Sequence, residues 1–96
     1  MHAVVRAYSG KGARELSDVL EKRKAEVETI MRSVKGFASD TLFRSADGCV
    51  SVTVCADKAG ADESRAKARD WVAKNAAGTG VGAPTVFEGP VTLHLK

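Results

Sequence analysis

The sequence predicts a single α+β domain: an antiparallel sheet of four strands in the order 4-1-3-2, with two helices on one face. Strand-like runs of apolar residues interleaved with polar ones occur at His2–Tyr8, Phe37–Ser45, Cys49–Cys55 and Pro84–Leu95. Stretches of helical periodicity separate the first run from the second and the third from the fourth. The chain has 96 residues, which accommodates one domain over residues 1–96 and excludes separate cofactor and substrate lobes.

The first strand ends at the turn Ser9-Gly10-Lys11-Gly12. Apolar Leu16, Leu20, Val27, Ile30, Met31 and Val34 then recur at helical spacing with a gap at Arg23 and Lys24, which predicts one long amphipathic helix. Gly36 follows its last turn, where a left-handed residue closes a helix, and Lys35 suits the helix dipole. Asp47-Gly48 between two strand-like runs marks a hairpin. Asp57 is placed to cap the second helix that follows it, although Gly60 weakens the first turn, and Glu63 to Asn75 consists of good helix formers. One side of that helix carries Ala61, Ser64, Ala68, Trp71 and Val72, so it must lie close to the sheet. Gly78 to Gly82 reads as a flexible connector, and in the last strand Val91, Leu93 and Leu95 alternate with Thr92, His94 and Lys96. With right-handed crossovers, the order βαββαβ gives the ferredoxin-like arrangement.

Fifteen alanines and twelve valines dominate a hydrophobic fraction of 44%, against five leucines, so the core is thin and self-association is a natural way to bury more surface. Fifteen basic and twelve acidic residues leave a net charge of +3. Lys22-Arg23-Lys24 is bracketed by Glu21 and Glu26, with further opposite charges at i,i+4, as on a solvated helix face. No nucleic-acid partner is expected. No apolar run is long enough to span a bilayer and the start lacks a signal pattern, so no membrane partner and a cytoplasmic location are expected. Cys49 and Cys55 lie on order of 20 Å apart along one strand, beyond disulfide reach and without metal-knuckle spacing.

Alternation places Ala3, Val5, Ala7, Val50, Val52 and Val54 under the helices, together with Leu42, Val91, Leu93 and Leu95. The other face then carries His2, Val4, Arg6, Tyr8, Phe37, Ser39, Thr41, Phe43, Cys49, Ser51, Thr53, Cys55, Thr92 and His94. That mixture is too apolar for a bare solvated face and predicts a homodimer through Val4, Phe37 and Phe43 with Thr53 at the centre. No carboxylate alternates onto this face of the first or third strand, so the charge of Arg6 must be met by a helix carboxylate, a partner subunit, water or a ligand.

The succession Val4-Val5-Arg6-Ala7-Tyr8, a glycine-bearing turn, a long charged helix, Gly36-Phe37-Ala38-Ser39, Phe43-Arg44 and a second helix with Trp71 resembles the dimeric α+β barrel superfamily. Its antibiotic-biosynthesis-monooxygenase-type branch is the most similar. More narrowly, the run Ser51 to Gly60 followed by Asp62-Glu63-Ser64 and Trp71 is similar to small bacterial proteins of that kind without an assigned activity. The resemblance covers nearly the whole chain and its motifs are structural. It implies two sheets packed face to face and a ligand cavity, for which Arg6, Tyr8, Thr53, Trp71 and His94 are the candidate residues.

The haem-degrading branch also has an asparagine on the first strand and a histidine soon after the tryptophan, neither of which occurs here. His2 and His94 fall at matching ends of neighbouring predicted strands but lack a third ligand, so no metal and no cofactor are expected. Gly10-Lys11-Gly12 lacks the long phosphate-binding loop, the third strand lacks base-stacking aromatics, and no Gly-x-Ser-x-Gly occurs. Two functions remain: a homodimer that binds a small organic molecule in its barrel without catalysis, and a cofactor-independent monooxygenase acting on an electron-rich small molecule, with Arg6, Tyr8 or a histidine stabilising an oxyanion.

Overall fold

The computed structural model describes residues 1–95. In chain order it contains β1 (His2–Ser9), α1 (Ala13–Lys22), α2 (Lys24–Arg32), β2 (Phe37–Arg44), β3 (Gly48–Cys55), α3 (Lys58–Asn75), a 3-10 turn (Ala77–Thr79) and β4 (Thr85–Pro90). All neighbouring strands are antiparallel in the order β2-β3-β1-β4. The fold is therefore the expected ferredoxin-like α+β arrangement.

The long helix is divided in two. Its backbone leaves helical geometry at Arg23 (φ −111°, ψ 28°), in the gap of the apolar period. The Arg23 guanidinium donates to Glu26 Oε2 at 2.6 Å and Asn75 Oδ1 at 3.0 Å, and lies 5.2 Å from the centre of the Trp71 ring. Trp71 Nε1–H in turn donates to Glu26 Oε1 at 2.9 Å. The break thus ties the start of α2 to α3 through one arginine.

α3 begins at Lys58, directly after Asp57. Asp57 caps it as expected, accepting from the Gly60 amide at 2.9 Å. A Cβ at position 60 would stand 2.6 Å from the Lys35 carbonyl oxygen, so the glycine that weakens the turn is what lets α3 approach the preceding loop. Gly36 has φ 79°, as its place after α2 requires. The hairpin closes with Ser45 N–H donating to Gly48 O at 3.0 Å.

On β1 and β3 the two sheet faces are the reverse of the expected ones. Directly paired residues share a face, and the set Val4, Arg6, Tyr8, Cys49, Ser51, Thr53 and Cys55 is buried under the helices. Tyr8 and Cys49 pack there with Leu16, Leu20 and Trp71. The valine and alanine stripe of β1 and β3 instead lies on the open face, beside Phe87 of β4 at 63% exposure. The physical reason is that the polar groups of the inner face find partners there: Arg6 donates to Ser51, and the Ser51 and Thr53 hydroxyls both donate to the Asp40 carboxylate of β2. Leu42 pairs with Ser51 on the helix side, and Thr41 and Phe43 pair with Val52 and Val50 on the open side. These three residues lie on the expected faces, and a register shift between Phe37 and Ser39, which leaves Phe37 paired with Cys55 on the inner side, is what brings them into line with the reversed faces of β1 and β3.

β4 is also displaced. It spans Thr85–Pro90, and the alternating Val91, Leu93 and Leu95 lie beyond it, with Leu93 and Leu95 at 75% and 81% exposure. Pro90 has no amide to donate, and pairing with β1 ends at His2 and Pro90 apart from one bond from Val91 N–H to Met1 O. Among the described residues, no helix is long and apolar enough to cross a membrane.

Candidate functional site

The centre of the inner face is a polar chain in an apolar shell. Arg6, on the central strand β1, is 7% exposed and donates from Nη2 to Ser51 Oγ at 2.7 Å. Ser51 Oγ lies 3.4 Å from Asp40 Oδ1, which also accepts from Thr53 Oγ1 at 2.7 Å. The chain Arg6–Ser51–Asp40–Thr53 thus crosses three strands. It supplies the carboxylate that strands one and three lack. Arg6 Nε nevertheless has no hydrogen-bond partner, and it is the one buried side-chain nitrogen or oxygen so placed among the described residues. Leaving such a donor unmet costs about 1–3 kcal/mol, and more for a charged group.

A cavity of about 50 Å³ adjoins this chain between the sheet and the helices. Arg6, Tyr8, Asp40 and Ser51 are its polar wall, while Leu20, Met31 and Trp71 belong to its apolar wall. β1 presents Arg6 and Tyr8 on one side because they are two residues apart, and α3 lowers Trp71 onto the sheet through the small residues Ala61, Ser64 and Ala68. Burial raises the Tyr8 phenol above its ordinary value, and the neighbouring Arg6 charge opposes that rise. The phenol is therefore a neutral hydrogen-bonding group at physiological pH. A buried cation beside a phenol and next to an apolar wall can orient a polar small molecule and stabilise negative charge on it.

Three of the expected site residues, Arg6, Tyr8 and Trp71, are thus brought together. Thr53 is fully buried on the same face but spends its hydroxyl on Asp40 and is not part of the cavity wall. His94 lies in the exposed segment after β4 rather than on a strand, while His2 pairs with Glu88 at 3.1 Å. The register shift in β2 explains why Asp40 went unforeseen: strict alternation from Phe37 turns it to the other face. Its signal in the sequence is that it is the one acidic residue within β2.

Both cysteines are free and buried. Burial pushes each thiol above its ordinary value of 9.0. Two results are expected: iodoacetamide alkylates neither cysteine in the folded protein near neutral pH, and both react after denaturation, as mass spectrometry would show. The sign of the pH dependence follows from the raised values. The stability contributed by the neutral thiols is complete below their unfolded pKa and is lost as pH rises through the folded one, so the melting temperature should decline above about pH 8.5. Rapid native alkylation would contradict this description of the inner face.

The ferredoxin-like α+β fold of this chain is shared with solved structures of other proteins. Three solved structures are similar over 99% of this chain. The first is NE2512, a protein of unknown function from Nitrosomonas europaea, at 17% identity, with 91% of that chain covered and a TM-score of 0.68. The monooxygenase from the gene ActVA-Orf6 of Streptomyces coelicolor, solved with the ligand nanaomycin D, is 24% identical over 90% of its length with a TM-score of 0.62. SnoaB, a cofactor-independent oxygenase from Streptomyces nogalater, is 20% identical over 92% of its length at 0.50. No protein-family model and no curated protein matches the sequence.

Proposed function

We propose that the protein is a homodimer that binds a small organic molecule on the helix side of its sheet, with Arg6, Tyr8 and Trp71 as the contact residues. The observation that carries this reading is the buried Arg6 guanidinium with an unpartnered Nε beside an apolar cavity. Dimerisation is supported separately by the open face, where Val5, Val50, Val52 and the exposed Phe43 and Phe87 adjoin one another across the four strands as one apolar surface. The reading includes no cofactor, metal, nucleic-acid or membrane partner and a cytoplasmic location.

The test is native mass spectrometry of freshly purified protein, followed by a fluorescence screen of hydroxylated aromatics using Trp71, the only tryptophan. A dimer whose emission changes saturably with at least one compound is expected. A monomer at tens of micromolar would overturn the assembly, and a screen without saturable quenching would overturn the cavity reading. A second reading, a cofactor-independent monooxygenase acting on an electron-rich small molecule, is favoured by the likeness to two oxygenases and by the Arg6–Tyr8 pair. Oxygen consumption with a bound hydroxyaromatic, in the absence of flavin and added metal, separates it from binding alone.

A further inference from the structure

Arg6 and Tyr8 stand between two spaces. One is the cavity just described. The other is a cleft of about 330 Å³ between α3 and the segment from Val81 to Val86, and Arg6, Tyr8 and Val72 line both. Arg65 and Arg69, one helical turn apart on α3, also line the cleft, so three guanidiniums border one space.

The nearby carboxylates leave much of that charge unmet. Arg65 Nη1 is 3.6 Å from Glu88 Oε2, but Glu88 also lies 3.1 Å from His2 Nε2 and 3.7 Å from Lys58 Nζ. Arg69 meets its chain neighbour Asp70 at 3.4 Å with both side chains about three-quarters exposed, where such a pair contributes little. Asp40 reaches Arg6 only through Ser51. Size points the same way: 50 Å³ holds a few atoms, whereas 330 Å³ falls within the roughly 300–1,000 Å³ of small-molecule sites.

We infer that the ligand is a small organic acid whose carboxylate seats on Arg6, with Arg65 and Arg69 at the mouth of the cleft and its hydrocarbon body against Val72, Val81 and Val86. This rests on the small-molecule reading above, keeps its Arg6 and Tyr8 contacts, and places the ligand's hydrocarbon body in the cleft rather than in the smaller cavity against Trp71. A planar carboxylate matches the fork of a guanidinium and supplies the acceptor that Arg6 Nε lacks. The valine walls require a hydrocarbon body, which inorganic phosphate does not have.

Calorimetric titration with 1-naphthoate, and with 1-naphthol as the neutral probe, tests the inference. Naphthoate is expected to bind at least about tenfold more tightly than naphthol. Its affinity should fall by about tenfold or more in Arg6→Met, and several-fold in the double variant Arg65→Gln/Arg69→Gln. Raising the salt from about 50 to about 500 mM should weaken naphthoate and leave naphthol unchanged. In the ¹⁵N spectrum, the Arg6 Nε–H signal should move on adding naphthoate. If Arg6→Met does not fold, the double variant of two exposed residues carries the test. Equal affinity for the two probes, or naphthoate binding that is indifferent to the α3 arginines, overturns the inference. Naphthol binding without naphthoate binding also overturns it but leaves the cavity reading standing. Failure of both probes removes both.

Discussion

Val52→Arg is expected to yield a folded monomer in place of a dimer. Val52 lies in the middle of β3, paired with Val5 on β1 and Thr41 on β2, at the centre of the open face. In two sheets packed through that face it would meet the apolar surface of the other copy. A guanidinium there loses water and gains no counter-charge, a penalty of several kcal/mol, and each 1.4 kcal/mol weakens association about tenfold. Sedimentation velocity at tens of micromolar should show half the mass, with the helical circular dichroism retained because the substituted side chain does not touch the helix layer. Thr53→Arg is the contrasting variant. Thr53 is fully buried under the helices and bonded to Asp40, so arginine there should abolish folding rather than dissociate subunits. A Val52→Arg protein that still sediments as a dimer would show that copies associate through another surface.

Trp71→Ala is expected to cost about 3–5 kcal/mol of folding stability, the range for emptying a large aromatic from a core. For a domain whose total is roughly 5–15 kcal/mol, that is a large share. Trp71 is 7% exposed, joins α3 to α2 through Glu26, lies under the Arg23 guanidinium, and closes the cavity wall. Its removal therefore releases α2 as well as opening the cavity. Trp71→Phe keeps most of the wall but loses the indole N–H, and should cost only about 1–2 kcal/mol. Urea unfolding followed by circular dichroism measures both without needing the tryptophan. A loss below about 1 kcal/mol for the alanine variant would show that the helices are held together elsewhere.

The architecture was legible because its signals are local. Asp57 before a helical run, Gly36 after one, and Asp47-Gly48 between alternating runs each act within a few residues. Which face of the sheet meets the helices is decided over longer range. Hydrophobicity ranks the valine stripe above the stripe carrying Arg6, Tyr8 and Thr53, yet the latter is buried, because its polar groups find partners across strands that alternation within one strand does not reveal. Asp40 was hidden by a one-residue irregularity that reverses every side chain after it. His94 was misplaced for a different reason: a period of two continues through Val91, Leu93 and Leu95, but regular pairing with β1 stops at Pro90. Arg6 and Tyr8 stood out as the polar groups of one mixed sheet face, and Trp71 through the family resemblance; that all three meet on the helix side is seen only in the fold.

The interruption at Arg23 divides the helix layer into parts of unequal tolerance to change. α1 fixes itself by burying Ala13, Leu16, Ser17 and Leu20, whereas α2 buries only Met31. Val27 and Ile30 of α2 are only partly buried, yet both line the cavity. Substitutions at Val27 and Ile30 of α2 can therefore reshape the cavity wall at modest cost to folding, while the same changes in α1 would strike the core. Such a division lets the shape of the cavity change while the scaffold remains the same.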